Sequence, residues 1–350
     1  MLEDIRRQPQ VVAGLLVRQA ELRAFADRHL RPPAGGRLFL FGSGDGWFAA
    51  RAAAPSVGLH GCDVRPLSTL AFLLDAAPEL TSQDRVLAIT MSGNVERTLE
   101  ACESALAKGA GVALLTNGAG GRVGALGIPR LALGLADIAP FLCGTATYTA
   151  TVLALQLMLD PGAGRALAAL PAALGLTLAR AEPLITTCRG RCTGVRMLAH
   201  GAALASAEYG AAKLVELTRT PVWTDDIEEF AHRQFWTADP GELIVMLPAT
   251  APAARYAEAS AEALGGMGFR VAALETGAAR VPHAAHRIRL PDAPDAAWPI
   301  LAAAALQLFA WHLARTTGLD PDRRAHLKDD EQRFRTSRLL TRRSLVGTGQ

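Results

Sequence analysis

One segment of the sequence, residues 85–118, constrains the fold more than any other. It begins with an apolar strand, Val86–Ile89, continues through a loop of small polar residues into a helix, and ends in a second apolar strand, Val112–Leu115. Strand, loop, helix and strand at this spacing predict a right-handed βαβ unit with parallel strands. The loop at residues 90–94 (TMSGN) brings two hydroxyl groups to a helix N-terminus, where an anion binds with little rearrangement.

A second copy of this arrangement lies upstream, at residues 37–50 (RLFLFGSGDGWFAA). It contains a short apolar strand, a glycine-rich turn with Ser43, Gly44 and Asp45, and the start of a helix. Loops that follow neighbouring parallel strands meet at the carboxyl edge of the sheet, where ligands bind in open α/β sheets. The two loops together therefore predict one crevice for a small polar ligand.

Two alternatives also fit the glycine-rich turn, at least in part. A dinucleotide-binding fingerprint requires G-x-G-x-x-G and an acidic residue about twenty residues later. Gly42, Gly44 and Asp63 fit this pattern, but Trp47 occupies the third glycine position, so a nicotinamide dehydrogenase is the weaker alternative. A P-loop does not fit, because no Gly-Lys-Ser/Thr follows a glycine-rich turn. Alternatively, the glycines simply form a tight turn.

Composition and charge narrow the class of protein. The 350 residues are enough for two domains with cores of their own, and half of them are apolar. A net charge of +3 and an aromatic content of 5% argue against a nucleic-acid partner, and the arginine-rich C-terminus is interpreted as a solvated tail or an interface strap. Residues 298–313 are the longest apolar run and predict a buried helix, because Gln307 and His312 interrupt them. The chain opens without a signal peptide, so we expect a soluble cytoplasmic protein without a membrane partner.

The five cysteines do not predict a metal site. Cys188 and Cys192 are four residues apart, but no second pair and no flanking histidine completes a zinc site. We therefore expect reduced thiols, no metal and no cofactor.

Apolar strands and helices alternate through the chain in two series. Short apolar strands between helices indicate parallel sheets covered on both faces, so we predict an α/β fold of two doubly wound domains. The strands are expected at residues 38–41, 58–64, 86–89, 112–115 and 130–133, and again at 197–200, 243–247, 271–274 and 287–290. Longer helices are expected up to about residue 29 and near residues 140–159, 164–187 and 298–316. The expected divisions are an N-terminal helix (1–30), a first domain (31–165), a helical connection (166–190), a second domain (191–320) and a basic C-terminal tail (321–350).

A different set of candidate residues lies in the second domain. Lys213 and Glu216 are three residues apart on a predicted helix and so share one face, for which a surface ion pair is the simplest interpretation. His232 follows an acidic stretch, residues 225–229. A carboxylate and an imidazole are sufficient to open a sugar ring and to move a proton between adjacent carbons. An isolated histidine is more often structural, so both interpretations stay open at this point.

Seven short motifs, in this order, resemble the double sugar isomerase (SIS) domain family. The resemblance is to the isomerase half of glucosamine-6-phosphate synthase, to fructosamine-6-phosphate deglycases and to amino-sugar-phosphate isomerases and deaminases. The motifs are residues 1–9 (M-x-x-E-I-x-E-Q-P in the family), 42–44 (C-G-T-S), 89–99 (I-S-Q-S-G-E-T-x-D-T-L), 144–149 (S-T-K-A-F-T), 213–217 (K-L-K-E-I), 229–232 (E-L-K-H) and 306–322 (L-Q-L-L-A-Y-H-L-A, then G-x-D-x-D).

The resemblance implies two SIS-type αβα sandwich domains and an aldose–ketose isomerase, deaminase or deglycase acting on an amino sugar or its phosphate. It implies that Glu216 moves a proton between C1 and C2, with Lys213 as its charge partner. It also implies that His232 opens the ring from the neighbouring subunit of a homodimer. Lys328 is implied to be the counterpart of a C-terminal catalytic lysine. The residues implied to bind the sugar or its phosphate are Ser43, Gly44, Asp45, Thr90, Ser92, Gly93, Asn94 and Thr145.

Several positions depart from the family pattern. Met91 and Val95 replace a glutamine and a threonine of the phosphate loop, and Asp45 adds a negative charge beside the expected anion. Ala146 replaces a lysine, and Lys328 comes one residue early. These departures keep a second hypothesis open, a non-catalytic sugar-phosphate sensor or partner subunit. The sequence has no glutaminase half with an N-terminal cysteine, so we do not expect ammonia channelling from glutamine.

Overall fold

The computed structural model describes residues 1–56, 63–138, 143–187 and 192–342. The chain divides into two compact units, each built from segments that are separate in the sequence. The N-sheet unit comprises residues 14–137, 150–165 and 325–350, and the C-sheet unit comprises residues 1–13, 138–149 and 166–324. Each unit contains one parallel sheet with flanking helices, which confirms the predicted α/β fold of two doubly wound sheets.

The N-sheet unit has a five-stranded parallel sheet in the order β2-β1-β3-β4-β5. Its central strands are apolar and buried because helices cover both faces. The strand expected at 58–64 instead continues to Ser68, and residues 57–62 lie outside the described part of the chain. Pro66 is tolerated there because β2 is an edge strand. The strands are β1 (Arg37–Gly42), β2 (Asp63–Ser68), β3 (Arg85–Ile89), β4 (Gly111–Thr116) and β5 (Arg130–Ala132).

The C-sheet unit repeats this topology, with five parallel strands in the order β10-β9-β8-β6-β7. When the strands of each sheet are numbered in chain order, both sheets have the spatial order 2-1-3-4-5. Strand β7 was not expected from the sequence, because this half-exposed edge strand contains two aspartates and no continuous apolar run. The strands are β6 (Val195–Ala199), β7 (Val222–Asp226), β8 (Leu243–Leu247), β9 (Arg270–Glu275) and β10 (His286–Arg289).

Two of the expected helices are each divided into shorter helices in the structure. The N-terminal helix consists of three helices, and the helix expected at 164–187 consists of two, α9 and α10. The arginine-rich C-terminus is helical as far as Arg342; residues 343–350 lie outside the described part of the chain. The helices are α1 (Leu2–Arg6), α2 (Gln8–Val17), α3 (Gln19–His29), α4 (Asp45–Ala53), α5 (Thr69–Ala71), α6 (Glu96–Ala107), α7 (Gly121–Gly124), α8 (Ala146–Leu159), α9 (Ala163–Ala166), α10 (Leu170–Thr187), α11 (Ala203–Thr218), α12 (Ile227–His232), α13 (Ala251–Gly266), α14 (Trp298–Thr316), α15 (Ala325–Lys328) and α16 (Glu331–Arg342).

Helix α14 is the central helix of the C-sheet unit, and its bounds agree with the expected buried helix. Among the described residues, only the segment Asp295–Thr316 is long and apolar enough to cross a membrane, and 78% of its apolar window is buried inside the protein. Burial of this kind is typical of a core helix, which packs its apolar side chains against a sheet and neighbouring helices.

Both sheets contain an arginine–carboxylate pair at the amino edge; the carboxylate is buried in each, and Arg196 is buried too, whereas Arg37 is 26% exposed. Arg37 at the start of β1 contacts Asp84, which directly precedes β3, with Nη2 to Oδ2 at 2.8 Å. Arg196 near the start of β6 contacts Glu242, which directly precedes β8, with Nη2 to Oε1 at 3.1 Å. Burial raises the pKa of Asp84, but hydrogen bonds from Arg37 and Thr81 outweigh it and hold that pKa far below its ordinary value. An arginine–carboxylate pair therefore recurs at the amino edge of both sheets.

Candidate functional site

The two glycine- and hydroxyl-bearing loops begin on neighbouring strands. Gly42 at the end of β1 pairs with Ile89 at the end of β3, so loops 43–46 and 90–95 leave the same carboxyl edge side by side. This is the switch point of the sheet, where the strand order reverses and where ligands bind in doubly wound folds. The predicted adjacency of the loops is confirmed. We call this region, with residue 69, the N-sheet crevice.

Two glycines allow the first loop to approach β3 closely. A Cβ atom on Gly46 would lie 2.8 Å from the carbonyl oxygen of Ile89, and one on Gly42 would lie 3.0 Å from it. Any larger residue at either position would push α4 away from the sheet. Gly44, which precedes α4, has a φ of +54°, a conformation that favours glycine. The glycine pattern therefore positions a loop and a helix N-terminus against the backbone of β3.

A third segment contributes to the crevice. Thr69, directly after β2, is buried, and its Oγ1 lies 2.8 Å from Oγ of the exposed Ser43. Ser68 accepts a hydrogen bond from the N–H of Ala71 and so caps α5. Sequence reasoning missed Thr69 because it ended β2 at Val64, five residues before this hydroxyl.

Local hydrogen bonds fix the second loop. Oγ1 of Thr90 accepts a hydrogen bond from the N–H of Gly93 at 3.2 Å, and Oγ of Ser92 accepts one from the N–H of Asn94 at 3.4 Å. Oδ1 of Asn94 accepts a hydrogen bond from the N–H of Arg122 at 3.2 Å. Ser92 and Asn94 are exposed, so the loop presents their polar atoms to solvent.

Gly93 is the residue of this loop that admits no substitution. Its φ is +65°, and a Cβ atom there would lie 1.6 Å from the carbonyl oxygen of Gly120. The N–H of Val123 donates to the carbonyl of Gly93 at 3.0 Å, which ties the loop to α7. The conformation of the loop therefore depends on a glycine at this position.

The crevice contains hydroxyl groups but no cation. Among the residues of loops 43–46 and 90–94 and Thr69, Asp45 alone carries a formal charge. Asp45 is the first residue of α4, where a carboxylate is favoured by the positive end of the helix dipole. A bound anion would share this region with the Asp45 carboxylate, and its binding would rely on hydroxyl and backbone N–H donors.

Thr145, expected in sugar binding, belongs to the C-sheet unit. It is fully buried, and its hydroxyl donates to the Asp4 carboxylate, which also accepts from the N–H of Ala146 at 3.0 Å. Asp4 therefore caps the first turn of α8 and tethers α1 to it.

Lys213 and Glu216 form an ion pair on α11, as their spacing predicts. The ammonium of Lys213 lies 3.2 Å from both carboxylate oxygens of Glu216. Lys213 is only 1% exposed, so the expected surface ion pair is wrong: one partner is buried, whereas Glu216 is 36% exposed. The buried ammonium thus contacts a carboxylate that also faces solvent.

A buried network supports Lys213. Its ammonium lies 5.3 Å from the ring centre of Tyr209, which stacks on Tyr148 with ring centres 3.5 Å apart. The Tyr209 hydroxyl donates to the carbonyl of Gly144 at 2.8 Å and accepts from the side-chain amide of Gln307 at 2.8 Å. Aromatic stacking and satisfied buried hydrogen bonds hold this segment of α11 in one arrangement.

Sequence reasoning missed Arg324, whose guanidinium lies 3.6 Å from the Glu216 carboxylate. Arg324 has a φ of +48°, which is uncommon for a residue other than glycine and marks backbone strain. Lys328, the expected catalytic lysine, is the exposed last residue of α15 and belongs to the N-sheet unit.

Two histidines of the C-sheet unit have different surroundings. His232 is exposed at the end of α12, and no side chain in the described part of the chain contacts it by a hydrogen bond or ion pair. His200, which the sequence did not single out, follows β6, and its Nδ1 lies 2.9 Å from Oδ2 of Asp226 at the end of β7. Burial raises the pKa of Asp226, but the N–H of Glu228 and His200 outweigh it and lower that pKa.

Metal-ligating residues do not cluster in residues 1–56, 63–138, 143–187 and 192–342: no group of three histidine, cysteine or acidic side chains occurs there. Cys188 lies outside these ranges. Cys192 is a free thiol, and burial raises its pKa.

Comparison with known proteins gives different results at the levels of sequence and structure. No protein-family model matches the chain, and no curated protein matches it. Solved structures do match it over almost its full length.

Tagatose-6-phosphate ketose/aldose isomerase from Escherichia coli is similar with a TM-score of 0.77 and 20% identity, over 91% of this chain and 94% of that one. The C-terminal domain of glucosamine-fructose-6-phosphate aminotransferase from Francisella tularensis has a TM-score of 0.74 and 15% identity, over 92% and 98%. Glucosamine-6-phosphate deaminase from Thermotoga maritima has a TM-score of 0.72 and 16% identity, over 92% and 96%. At these identities the similarity shows a shared fold. The resemblance to double SIS proteins is therefore confirmed for the fold.

Proposed function

We propose that the protein is a sugar-phosphate isomerase or deaminase that opens a sugar ring and transfers a proton between C1 and C2. An amino sugar phosphate is the proposed substrate, and deglycation of such a sugar is the related reaction. The observation that carries this proposal is the pair of hydroxyl-bearing loops on neighbouring strands β1 and β3, at the switch point of the N-sheet. The solved structures of the same fold include proteins described as a sugar-phosphate isomerase and a deaminase.

In this proposal the N-sheet crevice binds the phosphate end of the sugar. Ser43, Thr90 and Ser92 supply hydroxyl groups, and the start of α4 supplies backbone N–H donors. Gly44, Gly93 and the hydrogen-bonded Asn94 give the loops the shape to enclose a small anion. Hydroxyl and N–H donors suit an anion because they can surround all of its oxygen atoms.

The proposed proton carrier is the carboxylate of Glu216. It removes the proton from C2 of the open-chain aldose to give a cis-enediolate, or the corresponding enolamine for an amino sugar, and returns the proton to C1, while a second proton moves from the C2 oxygen or nitrogen to O1. Lys213 and Arg324 orient the carboxylate through their contacts at 3.2 Å and 3.6 Å. His232 opens the ring from the partner protomer of a cytoplasmic homodimer, and Lys328 contacts the reacting end of the sugar. Carboxylate proton transfer typically contributes about 10²- to 10⁴-fold to the rate.

A screen of hexose and hexosamine phosphates tests the proposal. Each compound is added to the protein in a thermal-denaturation assay, and each compound that raises the melting temperature is then followed for turnover by NMR. We expect at least one six-carbon sugar phosphate both to stabilise the protein and to be converted. Stabilisation by none of them would refute a sugar-phosphate function.

Binding without turnover would favour the second candidate, a non-catalytic sensor or partner subunit. Asp45 in the crevice supports this candidate, because a carboxylate beside a phosphate dianion weakens its binding. Met91 and Val95 support it as well, because their side chains offer no hydrogen bond to an anion.

A further inference from the structure

Glu216 has two cationic neighbours, and they contact it differently. Both of its carboxylate oxygens accept hydrogen bonds from the ammonium of Lys213, at 3.2 Å. Nη1 of Arg324 lies 3.6 Å from Oε2 of Glu216, which is an ion-pair distance but too long for a hydrogen bond. Lys213 therefore already binds the carboxylate, and Arg324 adds a second positive charge beside it.

Burial indicates which of the two cations a ligand can reach. The side chain of Lys213 is only 1% exposed, so a ligand cannot contact its ammonium. Those of Arg324 and Glu216 are 19% and 36% exposed, and their charged groups are neighbours. A guanidinium has five N–H donors, so a molecule that touches the Glu216 carboxylate lies within reach of a donor on Arg324.

The backbone holds Arg324 in a conformation that favours glycine. Its φ is +48°, and its N–H donates to the carbonyl of Asp320 at 3.0 Å. Oδ1 of Asp320 accepts a hydrogen bond from the N–H of Asp322 at 2.9 Å, which fixes the same turn. Glycine would adopt this φ without strain, so the strain comes with the arginine side chain. Strained residues cluster at active sites and ligand contacts.

The reaction proposed above creates a negative charge close to Glu216. When the proton leaves C2 of the aldose, the electron pair of the C2–H bond forms the C1–C2 double bond. The π electrons of the carbonyl move onto O1, which is an oxyanion until it receives its proton. Fixed hydrogen-bond donors stabilise such an oxyanion, and a guanidinium keeps its charge throughout the reaction.

We propose that Arg324 is a further catalytic residue, which donates to O1 of the sugar and stabilises the enediolate. This role goes beyond orienting Glu216, for which the contact with Lys213 is sufficient. The inference rests on the proposed function, because it requires Glu216 to remove the proton from C2. Lys213, Glu216 and Arg324 all belong to the C-sheet unit.

Two ligands distinguish oxyanion binding from ordinary binding of the sugar phosphate. 5-Phospho-D-arabinonohydroxamate resembles the enediolate of a hexose 6-phosphate, whereas D-glucitol 6-phosphate is an open chain that lacks the two planar oxygens. Calorimetric titration measures the affinity of each ligand and requires no turnover. We expect the wild type to bind the hydroxamate more tightly, because it resembles the intermediate and not the substrate.

Variants of Arg324 test its contact with the oxyanion. Arg324→Gln should weaken binding of the hydroxamate by about 10²-fold or more, which is the usual contribution of one oxyanion donor, and leave glucitol 6-phosphate within a few-fold. Arg324→Lys, which keeps the charge but not the planar guanidinium, should lose less. Arg323→Gln is the matched control, because the neighbouring Arg323 is 86% exposed, and it should bind both ligands like the wild type.

The outcomes separate this inference from the proposed function. Unchanged hydroxamate binding in Arg324→Gln, or equal weakening of both ligands, would overturn the role of Arg324 and leave that of Glu216 intact. Slower solvent exchange at C2 with unchanged hydroxamate binding would mean that Arg324 only orients Glu216. Failure of the wild type to bind either ligand would refute the sugar-phosphate function and this inference with it. Thermal melting checks that each variant is folded, and Arg324→Lys supplies the comparison if Arg324→Gln is not.

Discussion

The two sheets of this protein have the same strand order and a similar arginine–carboxylate pair at the amino edge, but their carboxyl edges carry different residues. The N-sheet edge presents the hydroxyls of Ser43, Thr90 and Ser92 on glycine-shaped loops. The C-sheet edge presents the His200–Asp226 pair and a cavity lined by carboxylates. The ion pairs that the two sheets share stabilise the fold, whereas the residues that differ lie at the carboxyl edges, where they contact solvent.

The difference between the two edges indicates where function lies in a duplicated fold. In each sheet an arginine at or near the start of the first strand contacts the carboxylate that directly precedes the third strand, so the two pairs occupy similar places in the shared topology. Loops at the carboxyl edge take no part in these pairs, so each unit can have its own chemistry there. Four predictions test the ion pairs that the two sheets share and the loops that distinguish the N-sheet.

The largest expected effect concerns the N-sheet loop. Gly93→Ala introduces a Cβ at a φ of +65° and 1.6 Å from the Gly120 carbonyl, so we expect the free energy of unfolding to fall by about 4 kcal/mol. Gly118→Ala is the matched control, because nothing lies within 4 Å of its Cβ position. Urea denaturation measures both. Equal stability of the two variants would show that the loop is not held as described.

The next effect tests the repeated ion pair. Asp84→Asn and Glu242→Gln each leave an arginine without its charged partner. Arg196 is buried, so we expect Glu242→Gln to cost about 3 kcal/mol of unfolding free energy. Arg37 is 26% exposed and can be solvated, so we expect Asp84→Asn to cost less, about 1–2 kcal/mol. A loss confined to one sheet would mean that the two pairs are not equivalent.

The Asp84 pair also predicts a dependence on pH. The folded-state pKa of Asp84 lies far below its ordinary value of 3.8, so its stabilising contribution is complete above that value and is lost as the pH falls. The difference in unfolding free energy between the wild type and Asp84→Asn should therefore shrink below about pH 4. A difference that stays constant down to pH 2 would contradict this assignment.

The smallest effect tests the hydroxyl groups of the crevice. Ser92→Ala removes an exposed hydroxyl after β3, so we expect a sugar phosphate to bind about tenfold more weakly, which is about 1.4 kcal/mol. Ser82→Ala removes an exposed hydroxyl before β3, at the other edge of the sheet, and should leave binding unchanged. Calorimetric titration measures both. Equal weakening by the two variants would argue against a site at the carboxyl edge.

Much of the fold follows from the sequence because buried parallel strands are apolar runs. The central strands β1, β3 and β4 of the N-sheet and β6, β8 and β9 of the C-sheet appear close to their expected positions for this reason. The edge strands β2 and β7 do not, because they are half exposed and contain Pro66 and two aspartates. Because β2 and β7 have no continuous apolar run, pattern alone does not place their ends, whereas the edge strands β5 and β10 lie close to their expected positions.

Part of the candidate site could be predicted because the loops of the crevice are local motifs. Their glycines and hydroxyls can be recognised within a few residues of sequence. Thr69, Arg324 and the His200–Asp226 pair depend on contacts between distant segments, so no local pattern reveals them. The burial of Lys213 is similar, because it depends on the ring of Tyr209, over which its ammonium lies, and on α14, which packs against α11.

Solvent hydrogen exchange tests the central claim, proton transfer by Glu216, most directly. The wild type and Glu216→Gln are incubated in deuterium oxide with a sugar phosphate that stabilises the protein, and proton NMR follows the signal at C2. We predict exchange by the wild type, a loss of at least about a hundredfold in Glu216→Gln with ligand binding kept within a few-fold, and normal exchange in Glu262→Gln, an exposed glutamate on α13. Exchange at the wild-type rate in Glu216→Gln would contradict the claim.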